Sequence, residues 1–513
     1  MRPTPGTALL LVVLCRAGSA GAEAELARRL HGELRWGADS QGGAPYVFQD
    51  PSDPRRVVGF EVELAEALAA RLGVRARLVQ GAWEQLLPLL ERGDVDVVLN
   101  GIEVTPDRAR AYRLTRPYYA GSQLLTVRRG DGGAPRKPEA LAGRRVGTLP
   151  GSLAERVLRA AGADVRTYDG GQDDMYRDLA LGRTDAVLAD APIAAYYGAL
   201  EPGLEVLAAS AGDVRYAAVV TSRDLELQAA LDRAVGELAA DGTLARILAR
   251  WRLWNGETGA ALGISGPPAD APADGWLAWE SATRTERSAW SRVLHRYPSF
   301  LPLLLRGAGL TLVLSVAAMA LAIVGGAVLA GMRVYGPGPS RWLATGYIEV
   351  VRGTPLLLQL IVLYFGLPEL GVRLHPFVAG WLALGLNYAA AEAENDRAGL
   401  LSVPVSQLEA ARVLGLTRWQ GIRYVVAPQA LRIVLPPATN DFISLLKDSS
   451  LVSVVTLAEL TRTYQSLASA TRDHLGLGVL VAALYLLLGL PFARLARWLE
   501  SRLSVHLATG MRR

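Results

Sequence analysis

The chain has 513 residues and a mass of 54.8 kDa, which points to several domains rather than one. Hydrophobic residues make up 51%, charged residues 20%, and mean hydropathy is +0.21: too apolar for a soluble enzyme of this size and too charged for a pure membrane bundle. The net charge of +5 rests on arginine, since only Lys137 and Lys447 among 54 basic residues are lysine, and the lack of a basic run with interleaved aromatics argues against nucleic acid as a partner.

Arg2, the apolar stretch from Ala8 to Cys15 and the small residues ending in Ala20-Gly-Ala22 have the layout of a secretory signal. Residues 1–22 are expected to be removed, with a mature start near Glu23. A disordered start and lipidation at Cys15 are the alternatives. Val12-Val13-Leu14 lacks the small residue that lipidation favours.

From residue 25 to 255, strand-like and helix-like segments alternate. Strands are predicted at Glu33–Ala38, Val74–Val79, Val95–Leu99, Leu124–Val127, Arg145–Leu149 and Ala186–Leu188. Helices are predicted at Phe60–Arg71, Trp83–Arg92, Ser152–Ala161, Asp174–Leu181, Ala191–Ala199 and Leu225–Asp241. The pattern implies an α/β domain of two lobes with a ligand crevice between them.

Gly59-Phe-Glu-Val-Glu-Leu-Ala65, Trp83-Glu-Gln-Leu-Leu-Pro88, the run from Asp94 through Asn100-Gly-Ile-Glu-Val-Thr-Pro-Asp-Arg108, and Asp185-Ala-Val-Leu-Ala-Asp190 agree in order and spacing with one family. The segment resembles periplasmic binding proteins for polar amino acids, of the two-lobed type II fold, up to the closing Ala240-Asp-Gly-Thr-Leu244. A free amino acid carries a carboxylate and an ammonium, and both need partners when dehydrated. Arg108 offers a two-pronged fork to a carboxylate, and the resemblance makes it the carboxylate clamp; the alternative is a solvated arginine at a helix start. Asp190 ends a predicted buried strand, and the resemblance makes it the ammonium acceptor; the alternative is a helix N-cap. Asn100 and Gly101 are expected to bring backbone groups close to the ligand. Trp83 matches the aromatic that stacks on the ligand, with plain core packing as its rival. Gly151 and Ser152 lie at a strand-to-helix turn whose amides and hydroxyl suit a carboxylate.

Three departures stand out. Gly43 replaces an aromatic that precedes the Ala-Pro pair matched by Ala44-Pro45, with Tyr46 or Phe48 as candidates to compensate. Glu103 stands where the family has Ser or Thr beside the ligand's charged groups. Asp39 matches an acidic position facing the ligand side chain. Asp39, Glu103 and Asp190 together give the cleft surplus negative charge, which favours a cationic or strongly polar amino acid over an acidic one. The lobes are expected to cross over near Leu124–Val127 and near Tyr216–Val220.

Residues 256–297 read as a linker, rich in Gly, Pro, Ala and Asp as far as Gly275. Trp276, Trp279, Trp290 and Tyr297 then fall among charges, as either an interfacial helix or a soluble connector. Residues 298–505 form the apolar half. Gly307 to Met332 holds 26 residues without a charge, enough to cross a bilayer, and Leu475–Ala493 is a second clean span. Trp342–Pro368, with Glu349 and Arg352 as a candidate i,i+3 pair, Pro376–Ala391 and Leu435–Leu460 bring the expected spans to about five. Arginines near the spans fall mostly on the side this assigns to the cytoplasm.

Glu409-Ala410-Ala411, Gly415 and Val425-Val-Ala-Pro428 resemble the cytoplasmic coupling loop of ATP-binding-cassette (ABC) importer permeases. Tyr347-Ile-Glu-Val-Val-Arg-Gly-Thr-Pro355, Tyr364-Phe-Gly-Leu-Pro368 and Leu446-Lys-Asp-Ser-Ser-Leu451 look like the polar amino acid branch of that family. Glu394 matches the family's acidic residue, whereas Glu392 and Asp396 are extra. Neither lysine follows a glycine-rich loop, so the chain lacks a Walker A motif of its own. No metal-ligand spacing or nucleophile motif stands out, and no cofactor or metal is expected in this chain.

The resemblance implies an α/β two-lobed binding domain followed by an all-α transmembrane permease domain. It implies a multi-pass protein of the bacterial inner membrane with its binding domain exported to the periplasmic side, embedded in membrane lipid. It also implies a homodimeric or heterodimeric pore, and a separate ABC ATP-binding subunit that carries ATP and Mg. A ligand-gated channel with a glutamate-receptor-like binding domain is the alternative, and it predicts no coupling loop. An enzyme on the same binding fold is a further rival, with Glu103 as its unusual acid.

Overall fold

A computed structural model of the chain describes residues 25–510 other than 42, 169–171, 265–271, 285–295 and 456. The expected signal over residues 1–22, Cys15 and Trp290 lie outside the described residues. The chain divides into two compact units, one taking residues up to 292 together with 466–474, the other taking 293–465 and the residues from 475 on.

Twelve strands occur among the described residues of the first unit, ten of them in two five-stranded sheets. The first sheet has the order β4-β1-β5-β12-β6. Its members are β1 (Glu33–Ala38), β4 (Arg75–Gln80), β5 (Val97–Val98), β6 (Arg113–Leu114) and β12 (Val219–Val220). β1 runs parallel to β4, from Glu33 opposite Arg75 to Ala38 opposite Gln80. The second sheet has the order β11-β7-β10-β8-β9. It is built from β7 (Tyr119–Arg128), β8 (Arg145–Thr148), β9 (Asp164–Thr167), β10 (Ala186–Asp190) and β11 (Leu204–Tyr216). β2 (Phe48–Gln49) and β3 (Val57–Val58) form a separate antiparallel pair.

Local chemistry accounts for the elements. In α1 (Phe60–Arg71), Phe60, Leu64 and Leu68 repeat at helical spacing and are fully buried. Glu61 and Glu63 lie in its first turn and Arg71 in its last, complementing the helix dipole. The predicted helix Trp83–Arg92 is a 3-10 turn (Trp83–Gln85) followed by α2 (Leu86–Arg92), which stops at Gly93 in the left-handed region. Further on come α3 (Pro106–Ala111), α4 (Leu153–Ala160), α5 (Gln172–Ala180), the single turn α6 (Ala191–Ile193) and α7 (Leu225–Ala240), which Asp224 caps at the Leu227 N–H, 3.0 Å away.

The chain crosses between the sheets twice. The first crossing, expected near Leu124–Val127, lies at residues 115–118 instead. Leu124, Leu125 and Thr126 are mid-strand, paired with Ala189, Leu188 and Val187 of β10, so this stretch cannot act as a connector. The second crossing falls at Ala217-Ala218, within the expected Tyr216–Val220.

The unit closes with α8 (Thr243–Arg250), α9 (Gly256–Leu262) and α10 (Asp274–Arg284). Trp276 and Trp279 are buried, with ring centroids 4.5 and 4.7 Å from Tyr196, so α10 packs into the core of the first unit. Aromatic pairs of this kind add about 0.5–1.5 kcal/mol each beyond their burial.

In the second unit, α11 (Tyr297–Tyr335) and the helix starting at His474 are long and apolar enough to cross a membrane. A third candidate is broken: α12 (Gly338–Gly353) and the segment Leu356–Leu370, which opens with α13 (Leu356–Ile361), meet at a bend of 104°. Five spans were expected, so hydropathy and length support two, or three with the bent pair. The other two expected spans are α14 (Pro376–Ser402, 27 residues) and a helix from Ala427 to Asp448 (22 residues). Both are long enough to cross, but polar residues along them, such as Asn387 and Glu392 in the first and Gln429, Arg432 and Asp441 in the second, lower their hydropathy. Glycine permits close packing of α11 on α14: a Cβ at Gly326 would lie 2.6 Å from the Glu392 Cβ. Arg352 faces Glu394 at 3.9 Å and not Glu349, and Glu394 also holds Arg333 and Arg397.

Candidate ligand cleft and coupling segment

The first unit holds a cavity of about 130 Å³ lined from both sheets. From the first come Asp39, Tyr46, Trp83, Asn100, Gly101 and Glu103; from the second, Leu149, Pro150, Ser152, Asp190 and Ile193. Seven of the nine expected ligand residues therefore line one space. Arg108 and Gly151 are not among the lining residues.

Asp190 follows the buried strand β10 and is itself 7% exposed. It sits at an N-cap position but makes no capping bond. Its Oδ1 accepts from Gln123 Nε2 and its Oδ2 from the Tyr216 hydroxyl, and Tyr216 in turn lies 2.8 Å from the Tyr46 hydroxyl. Burial pushes the Asp190 carboxyl up to about 7, the nearby Glu103 charge adds to the rise, and the two hydrogen bonds oppose it.

Arg108 does not present its fork to the cavity. The Thr105 cap and Pro106 start α3, which carries Arg108 with its side chain only 13% exposed. Nη1 donates to Glu103 Oε2 at 2.7 Å and to the Glu103 carbonyl at 3.0 Å. Nη2 donates to the Gly151 carbonyl at 3.3 Å, and the guanidinium stacks 5.4 Å from the Trp83 ring centre. The guanidinium expected to hold a ligand carboxylate is held by the protein's own carboxylate.

The strand-to-helix turn is engaged in the same way. The Gly151 N–H donates to Glu155 Oε2 at 2.7 Å, and the Ser152 hydroxyl donates to the Leu149 carbonyl at 2.7 Å while capping α4. The Leu153 N–H donates to Glu103 Oε1 at 2.7 Å. The Gly101 amide is also taken, by Glu61 Oε1 at 2.7 Å. Glu61 is fully buried, and burial pushes its carboxyl up to about 7. Gly101 is required for another reason: its φ is +60°, and a Cβ would lie 2.8 Å from the Tyr46 ring.

Trp83 lines the cavity and donates its indole N–H to the Asn100 carbonyl at 3.0 Å, so it serves the cleft as well as the packing. Asp39 accepts from the Gln41 and Trp83 amides at 2.9 and 3.1 Å and from Gln80 at 3.2 Å, which fixes the turn that places Trp83. Of the two aromatics named beside Gly43, Tyr46 lines the cavity, whereas Phe48 is core, edge-on to Trp251. Sequence reasoning missed Gln123, Tyr216 and Glu61. Gln123 is a polar residue within an apolar strand, which was a readable signal.

The expected coupling segment is two short helices, α15 (Val405–Val413) and α16 (Arg418–Gly421), running into α17 (Ala427–Asp448). Gly415 turns between them with φ +85°. Thr417 and Gln420 form a capping box, and Pro428 sits at the start of α17, where a missing N–H costs nothing. Ala411 is buried, with Gly421 close by: a Cβ at Gly421 would sit 3.7 Å from the Ala411 Cβ. Glu409 and Ala410 face outward. So do Val413 (87% exposed), Leu414 (82%), Trp419 (68%) and Tyr424 (62%), an apolar cluster that the sequence reading did not single out.

Residues 34–253 match the family of bacterial extracellular solute-binding proteins, family 3. Residues 322–505 match the binding-protein-dependent transport system inner membrane component. The probable glutamine ABC transporter permease protein GlnM of Bacillus subtilis is 42% identical over 193 residues, 38% of this chain and 89% of that protein. The glutamine transport system permease protein GlnP of Escherichia coli is 38% identical over 218 residues, 42% of this chain and 98% of that one. A solved structure, the P235GK mutant of ArgBP from T. maritima, is 27% identical with a TM-score of 0.41, covering 45% of this chain and 99% of that one. The chain belongs to the permeases of amino acid ABC importers and carries a family 3 solute-binding domain fused to the permease domain.

Proposed function

We propose that the binding domain captures a basic or strongly polar amino acid on the periplasmic side of the inner membrane. The same chain then passes the ligand through a pore built from two permease domains. A separate ATP-binding subunit, which holds ATP and Mg, docks on the segment from Glu409 through Gly415 to Pro428 and drives alternating access. Arg108, Asp190, Trp83, Asn100, Gly101, Glu103, Asp39, Gly151 and Ser152 form or support the ligand site.

One observation carries the choice of ligand. Among the described residues, the cavity is lined by Asp39, Glu84, Glu103 and Asp190 and by no arginine, lysine or histidine, and of these four acids Glu103 is paired with Arg108. Such a lining raises the local concentration of cations and repels a second carboxylate. Fusion adds delivery: a tethered receptor meets its pore at an effective concentration of order millimolar. Glu103 is bonded to Arg108 and the Leu153 amide, which leaves it poorly placed as a general acid and disfavours the enzyme reading.

A thermal melt of the full chain in detergent against the twenty amino acids tests the ligand class. A ligand at a hundredfold excess over its Kd stabilises the binding domain by about 2.7 kcal/mol. Arginine, lysine, histidine or glutamine is expected to raise the melting temperature. Stabilisation by glutamate or aspartate alone contradicts the reading.

A further inference from the structure

An amino acid receptor has two charged ends to satisfy, and in this cleft one of them is already satisfied. Glu103 is 2% exposed. Its Oε2 takes the Arg108 Nη1 at 2.7 Å and its Oε1 takes the Leu153 amide at the start of α4 at 2.7 Å. These two donors, a guanidinium and a helix N-terminal amide, are a pair suited to a carboxylate. The neighbouring donors are committed too, Gly151 N–H to Glu155 and the Ser152 hydroxyl to Leu149. Arg108 lies outside the lining of the cavity, whereas Glu103 is part of it. In the same cavity, Asp190 has its two oxygens held by Gln123 and Tyr216 and still faces the space. The space thus offers an acceptor for a cation and a filled anion site.

We propose that Glu103 supplies from the protein the carboxylate that Arg108 and the α4 amide otherwise take from a ligand, so that the ligand class extends to basic amines that carry no carboxylate. These are the decarboxylated counterparts of basic amino acids: an ammonium or guanidinium on an aliphatic stem. Glu103 is then the residue that sets specificity at the carboxylate end. An amino acid must displace it from Arg108 and bury its own carboxylate beside it, whereas an amine enters the cleft as it stands. The inference rests on the cationic-ligand reading above and narrows it.

Titration calorimetry on the full chain in detergent tests it, with two matched pairs: arginine against agmatine, and lysine against cadaverine. The amine is expected to bind within tenfold of its amino acid or more tightly. Weaker binding by more than tenfold, for both pairs, overturns the inference while leaving the cationic reading standing. Binding of neutral amino acids with none of the four cations overturns the inference, and binding of acidic amino acids alone overturns the reading beneath it as well. Glu103→Ser frees Arg108 and is expected to improve the amino acid relative to the amine by at least tenfold. Glu103→Gln, which keeps the shape and removes the charge, shifts the ratio the same way and serves if the serine variant fails to fold. An unchanged ratio in a folded variant also overturns the inference.

Discussion

Asp190→Asn is expected to weaken binding of a basic ligand by about 30-fold or more, since unpairing a buried ligand charge costs roughly 2–5 kcal/mol. The carboxylate is buried at the end of β10 and oriented by Gln123 and Tyr216, and the substitution keeps its shape while removing its charge. Calorimetry on the folded variant reads the loss directly. Acidity gives a second readout of the same residue. Burial pushes the Asp190 carboxyl up to about 7, so below that pH the empty cleft holds a proton that a cation must displace. Affinity for a cationic ligand is expected to rise roughly tenfold from pH 6 to pH 8 and then level off. For stability of the empty domain the sign is reversed. An acid whose folded pKa lies above its unfolded value favours the folded state while protonated. That contribution is full below about pH 4 and lost as pH rises through about 7, and Glu61, also pushed up to about 7, acts in the same direction. Affinity that is flat, or that rises on acidification, contradicts the role given to Asp190.

Trp419→Ala is expected to weaken capture of the ATP-binding subunit by roughly 30-fold, the scale of about 2 kcal/mol typical of a central aromatic anchor. Trp419 is 68% exposed on α16, between Leu414 and Tyr424, and its removal leaves the packing of Ala411 near Gly421 untouched. Ligand binding is expected to be unchanged, and transport and ligand-stimulated ATP hydrolysis are expected to fall together. Full transport in a folded Trp419→Ala protein contradicts this use of the segment.

Much of this was legible in the sequence, for reasons visible in particular elements. β1 and α1 match their predicted bounds residue for residue because their apolar periods are clean and Gly59, with φ +140°, marks where the helix begins. The two short helices α15 and α16 were legible because Gly415 and Pro428 are conformational punctuation. The misreadings share a different cause, which is pairing between distant residues. Leu124–Val127 looks like a strand that might cross between lobes, but only its registry with β10 shows that it stays in the second sheet. For Trp276 and Trp279 the sequence leaves an interfacial helix and a connector open, because their packing partner, Tyr196, lies about 80 positions earlier. Arg108 reads as a clamp from its motif. That its partner is Glu103 depends on one backbone turn bringing the two together. Charges within spans defeat hydropathy for α14 and α17, since Asn395 donates to Asp441 at 2.7 Å and Tyr388 to Asp448 at 2.8 Å inside the fold.

The central claim is that one chain both captures an amino acid and conducts it when an ATP-binding subunit supplies the work. Its most direct test reconstitutes the full chain with that subunit in lipid vesicles and follows labelled arginine. Accumulation against a gradient that requires ATP, and that Asp190→Asn removes, is the expected result. Flux of the amino acid or of ions down their gradient without ATP contradicts the claim and favours a ligand-gated channel.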